Sequence, residues 1–125
     1  MKNKIYYKLG LITTLILGST NVSAMTCLQF AKVADENSLT SNTTYTYSVK
    51  GKKGFKTYFH SAPLDQCKIS GLFIIPKDSV MAYQYFKNQN KDWMYVTYYD
   101  ENGKETSGWV LERDFIKSGY INSNE

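Results

Sequence analysis

Histidine occurs once in the 125 residues, at His60, and cysteine twice, at Cys27 and Cys67. One imidazole and two thiols are too few for a zinc site built from histidine and cysteine. An acid–base relay needs converging partners, and none stands at a recognisable spacing from His60. No serine is framed as G-x-S-x-G or S-x-x-K. The carboxylates are scattered, with Glu112 and Asp114 placed to cap or solvate a terminal turn. These absences predict no catalytic residue, no metal and no cofactor; the chain reads as a non-enzyme. Its two prolines, Pro63 and Pro76, punctuate the chain. Repeats and low-complexity tracts are missing, and no apolar run approaches the roughly 20 residues that span a bilayer.

What the first 24 residues do contain is an export signal pattern. Lys2, Lys4 and Lys8 precede an apolar run from Leu9 to Leu17, and Val22-Ser23-Ala24 supplies small residues before a cut after Ala24. Cys27, preceded by Ala24-Met25-Thr26, lacks a lipid-attachment pattern. The alternative is a buried N-terminal helix. Cleavage removes three bases and no acid, so 15 basic residues fall to 12 against 11 acidic ones, a net charge of +1. A field that weak predicts neither nucleic acid nor anionic lipid as a partner, and no membrane span persists once the signal is cut. The expected location is the periplasm, or the medium if the cell has no outer membrane. In such an oxidising compartment Cys27 and Cys67 are expected to pair. That bridge would close a loop of about 40 residues and stabilise by roughly 4 kcal/mol on a chain-entropy model; two separate buried thiols are the alternative.

The expected organisation is a signal over 1–24, an N-terminal extension over 25–50, a β-domain over 51–121 and a tail over 122–125. Thr26 to Asn37 is the one stretch with helical promise, with Leu28, Ala31 and Ala34 in a stripe. Ser38 to Thr44 is polar and aperiodic and reads as a linker. Thr44 to Lys50 alternates, placing Tyr45, Tyr47 and Val49 on one face. Gly51-Lys52-Lys53-Gly54 forms a turn before a strand over Phe55–His60, which Ser61-Ala62-Pro63 ends. Leu72–Ile75, Ser79–Lys87, Asp92–Asp100 and Glu105–Leu111 are further strands. Asn102-Gly103 lies in the hairpin between the last two, because that pair tolerates positive φ. Glu112–Phe115 is a single helical turn and Ile116–Ile121 a last extended piece. Short strands at this spacing predict a small barrel or sandwich.

The order of signals from Phe55 to Ile116 resembles the bacterial SH3-like (SH3b) family. The pieces are Ser61-Ala62-Pro63, then Ile75-Pro76-Lys77-Asp78-Ser79-Val80, Asp92-Trp93-Met94-Tyr95-Val96, Gly108-Trp109-Val110 and Asp114-Phe115-Ile116. They cover about 60 of the 101 residues after Ala24. Asp92 stands where the family commonly has glycine, and the segment bearing Cys27 is additional. The resemblance implies a mainly β, SH3-like β-barrel with a short N-terminal helical extension, and often a role in binding peptidoglycan peptides.

Nine Tyr, six Phe and two Trp follow the signal, more than so small a sheet can hide, and Tyr and Trp concentrate at binding surfaces. Strand alternation turns Val80, Ala82, Met94 and Val96 inward. It turns Met81, Tyr83, Tyr85, Trp93, Tyr95 and Tyr99 outward as a candidate recognition patch. The competing expectation is that several of these rings lie beneath residues 25–50 as a second, internal core. Two functions follow as expectations. The first is binding of a protein partner, as an immunity protein or inhibitor of a cell-wall-targeting toxin or hydrolase. The second is a cell-wall module taking peptidoglycan peptide; a single copy with no enzyme attached favours the first.

Overall fold

The computed structural model describes residues 24–122. The signal segment before Ala24, with its lysines and apolar centre, and the last three residues lie outside the described residues. Helix α1 (Cys27–Asn37) is followed by seven strands: β1 (Leu39–Val49), β2 (Thr57–His60), β3 (Lys68–Ile74), β4 (Ser79–Asn88), β5 (Lys91–Tyr99), β6 (Glu105–Leu111) and β7 (Phe115–Ile121). Single 3-10 turns, Asp65–Cys67 and Glu112–Asp114, precede β3 and β7. All strands pair antiparallel in one sheet of order β3-β2-β6-β5-β4-β1-β7. The fold is mainly β with one helix, and none of the described helices is long and apolar enough to cross a membrane.

Turn chemistry explains the two long hairpins. Gln89 and Asn90, at φ 56° and 60°, make a two-residue reversal between the paired Asn88 and Lys91, the left-handed pair that suits strand twist. In the β5–β6 turn Gly103 sits at φ 81°, and the Asp100 carboxylate accepts the Asn102 and Lys104 amides at 2.8 and 2.9 Å. An Asx-type clasp of this sort holds a turn independently of its surroundings.

Inward-facing side chains form the larger core. Tyr47, Val49, Phe59, Ile74, Val80, Ala82, Met94, Val96, Val110 and Phe115 are all buried in one cluster. The cluster joins Ile74 of one edge strand to Phe115 of the other, so the sheet curves around it. Thr57 on β2 extends the link by donating its buried hydroxyl to Asp114 Oδ2 at 2.8 Å. Gly108 lets β2 approach β6: a Cβ there would stand 3.2 Å from the His60 carbonyl oxygen and from Phe59 Cδ1.

Three expectations are corrected. Residues 39–44 belong to β1 rather than a linker. Leu39 and Thr40 pair with Tyr85 and Gln84, and a register shift before Tyr45 breaks the periodicity that marks a strand. Strand β3 begins at Lys68, four residues ahead of Leu72, because Lys68 pairs with His60 across an irregular register that includes Gly71 at φ 78°. The helix does not bury a Leu28–Ala31–Ala34 stripe. Ala34 is buried, whereas Leu28 is 82% exposed, because the docked face runs through Cys27, Phe30 and Ala34.

Candidate binding surface

The helix begins with a reciprocal cap: the Thr26 hydroxyl accepts the Gln29 amide at 3.1 Å, and the Gln29 side chain accepts the Thr26 amide at 2.9 Å. One residue later the Cys27–Cys67 disulfide ties α1 to the 3-10 turn before β3. At the other end Gln84 Nε2 donates to Asp35 Oδ1 and Ser38 Oγ, both at 2.9 Å. The helix is therefore fastened at both ends across the outer face of β4, β5 and β6.

Beneath it lies a second core. Ala34, Trp93 and Trp109 are buried together, with Phe86 and Leu111 packed against them. Phe30 meets Phe86 edge-on at 5.9 Å, and Phe86 meets Trp109 at 6.3 Å. Alanine at position 34 lets the helix approach the indoles closely. His60, also buried, meets Trp93 at 4.8 Å, and its Nδ1–H donates to the Tyr58 and Trp109 carbonyls at 3.0 and 3.3 Å. Burial lowers its pKa, against those two bonds, which favour the charged ring. The Trp93 indole nitrogen is buried and has no hydrogen-bond partner among the described residues.

Of the six residues expected on one outward patch, the structure keeps some and relocates others. Trp93 is corrected: it is fully buried under α1, so for this ring the internal-core expectation holds. Tyr85 is also corrected, for a different reason. Ala82 pairs with Val96 but Gln84 with Tyr95, so Tyr83 is an extra residue in β4. A bulge of this kind reverses alternation beyond it. Tyr85 therefore packs against the larger core, its hydroxyl 2.9 Å from that of Tyr47. Burial, and then that bond, push its pKa well above the ordinary phenol value. Met81 is partly buried opposite Thr97. Tyr83, Tyr95 and Tyr99 are exposed, at 51%, 37% and 48%.

Tyr83 and Tyr95 line an open groove of about 830 Å³ between the helix and the sheet. Leu28, Ala31 and Lys32 form its helical wall, and Gln84 and Trp109 contribute from the sheet. Tyr95 leans edge-on against Trp109 at 5.4 Å, which fixes the exposed ring. Tyr99, farther along β5, is not among the lining residues. Leu28 was missed as a surface residue because its apolar spacing resembles a buried stripe; the cysteine one position before it was the available signal. Among the described residues no three of His, Cys, Asp and Glu gather as a metal-binding group.

No family model, curated protein or solved structure matches the chain.

Proposed function

We propose that this is an exported, non-catalytic binding protein with an SH3-like fold, whose α1–β4–β5 groove takes a protein partner in the periplasm. Two pieces of the SH3b resemblance support the fold reading. Gly108-Trp109-Val110 lies on β6, where Trp109 and Val110 enter the two cores; Asp114 ends the 3-10 turn and Phe115-Ile116 opens β7. The observation carrying the functional reading is a solvent-facing leucine beside two exposed tyrosines over a buried tryptophan. Leu28 stands 82% exposed on a helix whose ends are fastened. Apolar and tyrosine side chains held in place lose little freedom on binding, which favours affinity. The proposed biological role is that of an immunity protein or inhibitor of a toxin or hydrolase acting on the cell wall.

Leu28→Asp and Tyr83→Ala, both at exposed positions, test this. Purified cell-wall hydrolases and periplasmic extract from the producing cell would be titrated with the native protein and each variant. One enzyme inhibited by the native protein, with inhibition weakened at least tenfold in both variants at unchanged melting temperature, supports the reading. Retention of the native protein on purified peptidoglycan sacculi, with no enzyme inhibited, favours the cell-wall module instead. Turnover of a wall substrate by the pure protein would remove both.

A further inference from the structure

A net charge of +1 conceals a strong separation of charge. Residues 38–77 hold six lysines (Lys50, Lys52, Lys53, Lys56, Lys68 and Lys77) and one acid, Asp65. The rest of the chain beyond Ala24 holds six basic residues against ten acidic ones. Asp65 is paired with Lys91, and the other ion pair of the described residues is Lys87–Asp92. The six lysines are all exposed and have no carboxylate partner among the described residues.

The fold brings four of them, Lys53, Lys56, Lys68 and Lys77, to β2, β3 and the loop that follows β3. Strands β2 and β3 are neighbours at one end of the sheet order, with Tyr58 paired to Phe73. Lys56 Nζ lies 4.4 Å from the Phe73 ring and Lys68 Nζ 4.7 Å from the Tyr58 ring; the two rings are 5.6 Å apart. Lys53 and Lys77 line one concavity with Ile75, since the Lys77 amide donates to the Val49 carbonyl and holds the Pro76 loop against the end of β1. Within this basic margin Phe73 and Ile75 are 36% and 48% exposed.

We infer that the β2–β3 margin docks on an anionic phospholipid surface, with the lysines over the headgroups and Phe73 and Ile75 at the acyl boundary. This surface is separate from the α1 groove. Its charge composition favours lipid over an acidic protein. Protein interfaces are enriched in Arg and depleted in Lys, and this margin holds lysine without arginine. A compact ammonium on a flexible stem suits a fluid array of phosphates that offers no fixed geometry. Apolar side chains within a basic cluster supply the second attraction that stable interfacial binding needs. Each lysine near such a surface is worth about fivefold in partition.

The protein purified after export would be sedimented with vesicles of phosphatidylglycerol and phosphatidylcholine in equal parts, and with pure phosphatidylcholine. Binding to the anionic vesicles at 50 mM salt, weakened at least tenfold at 300 mM and on pure phosphatidylcholine, is the expected result. The triple variant Lys53→Gln, Lys56→Gln, Lys77→Gln should partition about a hundredfold more weakly. Lys32→Gln, Lys87→Gln, Lys104→Gln changes net charge equally and should bind within threefold of the native protein. Near-UV circular dichroism would confirm that both triples are folded; if the first is not, Lys53→Gln alone should lose about fivefold. Absence of binding to anionic vesicles, or equal losses in the two triples, overturns the inference. Binding to poly-glutamate with the vesicles left bare also overturns it, in favour of an acidic protein.

Discussion

At the scale of the residue, the chain's one histidine does structural work that ties stability to pH. His60 is 6% exposed, and burial holds its pKa below the ordinary 6.5. Above pH 6.5 both folded and unfolded chains carry a neutral ring, and this residue adds no pH dependence. As pH falls from 6.5 toward the lower folded value, the unfolded chain takes the proton first, so stability is lost across that window. The slope is at most about 1.4 kcal/mol per pH unit. Urea unfolding at pH 7.5, 6.5 and 5.5 should show this decline, and His60→Asn should flatten it even if the variant is weaker throughout. An unchanged slope in the variant would assign the decline to other groups. Tyr47 and Tyr85 give a second expectation. Removing one hydroxyl of their 2.9 Å pair leaves the other unpaired beside the core, so Tyr47→Phe should cost about 1–2 kcal/mol. Adding Tyr85→Phe should cost little more, because no orphaned hydroxyl is then left. A double-mutant cycle from equilibrium unfolding reads this coupling, and strict additivity would contradict it.

At the scale of the element, α1 depends on what lies beneath it. An 11-residue helix is marginal alone, and its fastenings are the disulfide, the Gln84 bonds and the rings of Trp93, Trp109 and Phe86. The two tryptophans of the chain both belong to that seam, so their fluorescence reports on helix docking. Cys27→Ala with Cys67→Ala should red-shift the emission and lower stability by roughly 4 kcal/mol, the loop-closure contribution of a loop this long. An unshifted spectrum would mean that packing alone holds the helix. The pairing of the two cysteines, the α1 bounds to within a residue, the Asn102-Gly103 turn and most of the strands were legible in the sequence, because each rests on local chemistry. The faces were legible only where alternation is unbroken: Met94, Val96 and Val80 point inward as expected. Tyr83 ended that, since a bulged residue leaves no mark in the order of side chains yet reverses those after it. Trp93 obeys alternation and points to the outer face. Its burial follows from a helix placed there by a disulfide between cysteines 40 residues apart, a non-local fact that alternation does not encode.

At the scale of the whole molecule, an open sheet must keep its two edges from joining copies of itself. Both edges here are irregular. Strand β3 carries Gly71 at φ 78° and pairs out of step with β2. In β7, Lys117 pairs with Tyr47 and Gly119 with Thr46, leaving Ser118 as an extra residue. Ile116, Tyr120 and Ile121 on this edge are 59%, 67% and 45% exposed, the composition of an aggregation-prone strand were it flat. The bulge at Ser118 twists that edge and interrupts the row of outward amides and carbonyls that a second copy would need. Deleting Ser118 is a clean perturbation, because the pairs on either side of it keep their partners and, among the described residues, its side chain gives up one hydrogen bond, the 3.2 Å contact from its hydroxyl to Thr46 Oγ1. The native protein should sediment as a monomer at tens of micromolar. The deletion variant should keep its near-UV spectrum and form dimers or larger species in the same range, with Ile116→Lys on that background restoring the monomer through a charge on the edge. A deletion variant that stays monomeric would show that the broken register of β7 is not what keeps copies apart.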